Sequence, residues 1–164
     1  MAIDTQKPLR DHVVALLAKE QAHMSFDHVI AAFPAKLRGA GVSGLPHTAW
    51  QLLEHLRIAQ WDMVDFTINK KYKEITWPDD YWPKHTAPKS AAEWNASIAR
   101  VRKDLAVMVK LVADPKTDLY SVIPWGSGQT ILREALVIAD HNAYHVAQLV
   151  DVRKALGAWP PKKG

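Results

Sequence analysis

Cysteine is absent from the 164-residue chain, which excludes disulfides, thiolate metal sites, iron–sulfur clusters and cysteine nucleophiles. Glycine is scarce at seven residues, and none of them builds the loop that cradles a phosphate. No apolar run approaches the roughly 18–20 residues of a membrane span, and Met1-Ala2-Ile3-Asp4 carries no signal-peptide pattern. A cytoplasmic protein with no membrane partner is therefore expected. A dominant charge is also missing: 21 basic against 17 acidic residues leave +4, spread along the chain rather than gathered on one face. Arg100, Arg102, Lys103 and Lys110 read as a solvated face, so no nucleic-acid partner is expected. What the chain does have is 48% hydrophobic residues, too many for disorder at so small a net charge. Such a length buries roughly 70% of the surface its unfolded form exposes. One domain over residues 1–164 is expected, with 158–164 as a C-terminal tail.

Four stretches carry helical periodicity. The first covers residues 4–22, with Leu9, Val13, Leu16 and Leu17 in step, and a short continuation reaches Phe33 before Pro34. The second opens on a capping-box pattern, Thr48 and Gln51, and runs to about residue 69. The third opens on Ser90 and Glu93 and runs to Asp114-Pro115. The fourth spans about 130–156, where Gly157 and then Pro160-Pro161 end it. Lengths of about 19–27 residues suit a bundle. The segment Tyr120-Ser121-Val122-Ile123 is too short to seed a sheet. The expected fold is all-α, a four-helix bundle with long crossover connections, because residues 23–47, 70–89 and 115–129 are long for plain hairpin loops. Those connections hold Trp77, Tyr81, Trp82, His85, Tyr120 and Trp125, aromatic material for a pocket rim or for sealing the ends of the core.

Three of the eight histidines stand apart. His141 and His145 are four apart on the fourth helix, about 40° apart around its axis, and share a face with Ile138, Leu149 and Val152. His55 lies on the strip of Leu52, Ala59 and Phe66 on the second helix. These imidazoles interrupt apolar stripes. They are either hydrogen-bonded core residues or ligands of one divalent ion, which would use three lone pairs at once. Other metal patterns fit less well. Asn142 follows His141 where a zinc-protease helix needs Glu. Glu20-Gln21-Ala22-His23 is the lone Glu-x-x-His of a di-iron type. Gly126-Ser127-Gly128 is not a nucleophile elbow.

The stretch Trp50-Gln51-Leu52-Leu53-Glu54-His55-Leu56, with Asp140-His141-Asn142-Ala143-Tyr144-His145-Val146-Ala147-Gln148-Leu149 far downstream, resembles the DinB/YfiT-like superfamily. Helix order, long crossovers and the closing Leu156-Gly157 agree with it over most of the chain. The resemblance implies an up-down-down-up bundle, a homodimer, and a divalent metal held by His55, His141 and His145. It departs from a common family pattern at Val146, where a basic residue often follows the last histidine.

Zinc or nickel suits three imidazoles and leaves a coordination position open. Such an ion brings the pKa of bound water towards ~7 or holds a thiolate ready to attack. The expected function is a metal-dependent enzyme acting on a small molecule, with a low-molecular-weight thiol as co-substrate or by hydrolysis. The alternative is a non-catalytic dimeric bundle with a structural ion or a small ligand. Glu134 and Asp62, each two turns from a histidine, and Gln148, one turn beyond His145, are candidates to accept an imidazole N–H. Glu134 and Asp62 are also candidate catalytic bases. Trp82 and Trp125 are candidates for the pocket rim.

Overall fold

Four hydroxyl side chains start four of the helices. Ser25, Thr48, Ser90 and Thr130 each accept the backbone N–H three residues ahead, satisfying a donor the helix itself leaves free. In the computed structural model, which describes residues 6–161, they open α2 (Phe26–Ile30), α3 (Ala49–Ile68), α4 (Ala91–Ala113) and α5 (Ile131–Ala155), after α1 (Gln6–Ala18). At Thr48 the capping box is complete, for the Gln51 side chain returns to the Thr48 N–H at 3.0 Å. At Ser90 it is not: the Glu93 carboxylate takes the N–H of Lys89 instead. The protein is all-α. Among the described residues it has no strand, and Val122 and Thr130 form one isolated bridge. No described helix is long and apolar enough to cross a membrane.

The expected lengths hold for α3, α4 and α5, at 20, 23 and 25 residues, but not for α1, which has 13. Residues 4 and 5 lie outside the described residues. At the other end α1 stops at Ala18, not at residue 22, because the Glu20 carboxylate accepts both the N–H and the hydroxyl of Ser25 at 3.0 Å. The continuation to Phe33 also ends early, at Ile30. There the chain turns through Ala32 at φ 46°, a conformation unfavourable for a residue with a Cβ.

Two buried arginines hold helix ends in place. Arg153, 1% exposed, donates from α5 to the carbonyls of Val29 and Ala31 at 2.6 and 2.7 Å and to Ala158 at 3.1 Å. Arg10 of α1 likewise donates to the carbonyls of Val112, Asp114 and Thr117 at the end of α4. A cation there meets both the orphan carbonyls and the negative end of the helix dipole.

Packing is cyclic: α3 lies on α4 and α5, and α1 lies on the same two, while α2 packs on α5. The apolar interior falls into two clusters. One gathers Leu52, Leu53 and Leu56 with Val146, Leu149 and Val152. The other gathers Val64, Met108 and Val112 with Ala135, Ile138 and Ala139. Between them α3 and α5 contribute polar residues. Gln60, fully buried, donates to the Val101 carbonyl at 2.7 Å and accepts from Asn142 at 2.8 Å. Val146, where the resemblance departs, is one of the buried core residues, a place where an unpaired charge would be costly.

Replacing Arg153 by alanine would strand three carbonyls and is expected to cost about 3 kcal/mol of stability, read as a lower midpoint in urea. An unchanged midpoint would remove the capping role.

Candidate metal centre

His55, His141 and His145 meet where the two apolar clusters adjoin. One ligand atom from each lies within 4.8 Å of the other two. Ring centroids are 5.0 Å apart for His55 and His141, 4.5 Å for His55 and His145, and 4.4 Å for His141 and His145. The geometry follows from the helices: His141 and His145 stand one turn apart on α5, and α3 brings His55 opposite them. Three nearby histidines of this kind could hold a metal ion. His55 and His145 are buried, and His141 is half-buried.

Hydrogen bonds decide which nitrogens are free. The Tyr81 carbonyl lies 2.9 Å from Nδ1 of His55. A carbonyl only accepts, so that nitrogen carries the proton and Nε2 keeps the lone pair. Oε1 of Gln148 lies 2.7 Å from Nδ1 of His145 and has the same effect. Nε2 of His141 approaches Nε2 of His55 to 3.2 Å, and its Nδ1 is buried without a partner. Two ring nitrogens that face one another at 3.2 Å need a proton or a cation between them, and a cation shared through Nε2 would leave Nδ1 of His141 as the ring N–H. The residues present fit a metal ion.

Protons compete poorly for this position. Burial, then the neighbouring imidazoles of His145 and His55, pushes His141 down to about 3. Burial and His55 push His145 down to about 4. Burial lowers His55 as well, although the Tyr81 carbonyl works against it. All three rings are neutral at pH 7, the form in which imidazole ligates.

The other residues named from the sequence divide into two groups. Trp82 lies flat on His55, centroids 3.9 Å apart and planes 2° apart, and Gln148 holds His145, so both join the centre. Asp62, Glu134 and Trp125 line a separate polar hollow of about 310 Å³ with Tyr72, Tyr81 and Arg133. Neither carboxylate accepts an imidazole N–H as expected. Asp62 accepts from the hydroxyls of Tyr72 and Tyr81 at 3.0 and 2.5 Å, and Glu134 pairs with Arg133 at 2.7 Å. The reason is rise along the helix: seven residues is about 10 Å, too far for a direct bond to the rings. Trp125 donates its indole N–H to the Phe66 carbonyl. His85 is exposed and stands outside the centre.

Two participants escaped the sequence. His47, which precedes α3, stacks on the far face of Trp82 at 4.0 Å and 21°. The Tyr81 acceptor is a main-chain atom in an irregular connection, which no residue pattern announces. Comparison with protein-family models, with curated proteins and with solved structures returns no match.

The lowered values set a pH dependence. Between about 3 and the ordinary histidine value near 6.5, the folded metal-free protein binds fewer protons than the unfolded chain. Its stability is therefore complete above that window and is lost as pH falls through it. The urea midpoint should be lower at pH 5 than at pH 7.5, and equal midpoints would contradict neutral buried rings.

Proposed function

We propose that the chain is a metal-dependent enzyme of DinB/YfiT-like type, a four-helix bundle of up-down-down-up order that acts on a small molecule by thiol transfer or hydrolysis. The observation that carries the reading is the meeting of His55, His141 and His145 within 4.8 Å, with two ring tautomers set by Tyr81 and Gln148. The cyclic packing of α1, α3, α4 and α5 supports the bundle. So does the opposite run of α3 and α5: seven residues forward from His55 (62 − 55) and seven back from His141 (141 − 134) reach the same hollow.

Zinc or nickel is the proposed ion, because imidazole nitrogen suits both. Bound by these three rings, such an ion supplies Lewis acidity and lowers the pKa of a coordinated water or thiol. No carboxylate joins the group among the described residues, and a three-ligand set favours a catalytic role over a closed structural shell. The chain's own residues prepare the rest. Gln148 and the Tyr81 carbonyl keep the ring lone pairs turned inward, and Trp82 shields one face of His55 from water. The neighbouring hollow lined by Asp62 and Glu134 also takes in Tyr81, whose carbonyl meets His55, and it is the proposed place for substrate. A homodimer in the cytoplasm, with a low-molecular-weight thiol as co-substrate, completes the reading.

Elemental analysis of the purified protein should give about one divalent ion per chain. His141→Ala and His145→Ala should abolish it, and undiminished metal in both variants would reject the ligands. With metal bound, turnover of thiol plus electrophile, or of an ester or amide, should vanish on chelation and return on re-addition. Turnover indifferent to the chelator would leave the centre without a catalytic role.

A further inference from the structure

Tyr81 faces two residues of α3 at once. Its hydroxyl donates to Oδ2 of Asp62 at 2.5 Å, and its main-chain carbonyl accepts from Nδ1 of His55 at 2.9 Å. The other oxygen of Asp62 accepts from the Tyr72 hydroxyl at 3.0 Å. Asp62 is only 7% exposed, so one buried carboxylate ties down the connection between α3 and α4 at two points. That connection has neither helix nor strand across residues 70–89. One residue beyond the tie, Trp82 lies on the His55 ring, sandwiched on its other face by His47. Trp77 packs edge-on against Tyr81 at 5.2 Å.

A neutral imidazole can carry its proton on either nitrogen, and the partner of one nitrogen decides the state of the other. A carbonyl can make that choice only if it is held still, and the turn bonds inside the connection, Asp80 N–H to the Thr76 carbonyl at 2.9 Å and Tyr81 N–H to the Pro78 carbonyl at 3.1 Å, shape it without fixing Tyr81 against α3. The tie to Asp62 provides the hold. We propose that Asp62 is a positioning residue that acts through Tyr81: it anchors the α3–α4 connection so that the Tyr81 carbonyl fixes the Nδ1–H tautomer of His55 and Trp82 fixes its ring plane. In this role the carboxylate never touches the imidazole. Its effect on metal affinity rests on the three-histidine reading above, whereas its effect on the tautomer does not.

The test uses two variants and two readouts. In the metal-free wild type at neutral pH, long-range 1H–15N correlation should show His55 wholly as the Nδ1–H form. Tyr81→Phe deletes one oxygen and leaves the carbonyl in the chain; Asp62→Ala deletes the anchor. Each should shift His55 towards a mixture of tautomers, and Tyr81→Phe carries the test if Asp62→Ala loses its helical signal. Co(II) titration should show affinity lowered about tenfold in both, with an altered visible spectrum. Asp62→Asn, which keeps an acceptor for a tyrosine hydroxyl, should recover part of the loss. Wild-type tautomer and cobalt affinity in both Tyr81→Phe and Asp62→Ala would overturn the proposal. A wild type that binds no cobalt, yet loses the Nδ1–H form in Tyr81→Phe, would sink the metal centre and leave the anchor standing.

Discussion

Everything in the interior is arranged around the cost of burying polar groups where α3 meets α5. A hydrogen bond made there contributes only about 0.5–1.5 kcal/mol net, but one left unmade costs about 1–3 kcal/mol. His55, Gln60, His141, Asn142 and His145 separate the two apolar clusters, and nearly every donor and acceptor among them is matched. The exceptions are the Nδ1 of His141 and the Oδ1 of Asn142. Where the three imidazoles converge, the rings meet one another, Nε2 of His141 against Nε2 of His55 at 3.2 Å. Chemistry is expected where a fold leaves its polar accounting open.

The same rule governs the periphery. Helix ends leave carbonyls without partners, and Arg10 and Arg153 carry guanidinium groups into the interior to meet those of α4 and α2. Burial lowers the pKa of Arg153, yet its neighbouring carbonyls and the Phe33 ring at 4.8 Å favour the cation. These contacts seat α1 and α2 against the long helices, and so hold the frame in which α3 and α5 face one another.

Much of this was legible from residue order. The starts of α3 and α4 were, because a hydroxyl that caps a helix acts within three residues of itself. The facing of His141 and His145 was, because one turn of helix fixes it. His55 could be named because it breaks an apolar strip. The early ends of α1 and α2 were not legible, since they depend on Glu20 reaching Ser25 and on Arg153 arriving from the far end of the chain. Asp62 and Glu134 were named for their distance in turns from the histidines, and a rise of about 10 Å carried them into a neighbouring hollow instead.

Local sequence alone settled what local forces control: all-α character, caps, and which faces are apolar. It also placed three imidazoles on inward faces, because helical periodicity needs no knowledge of the partner helix. Tertiary structure alone decided that the rings meet, which nitrogen of His55 and His145 carries the proton, and that Tyr81 and His47 take part. Those outcomes depend on contacts between segments far apart in the chain, whose geometry is set by packing rather than by neighbouring residues.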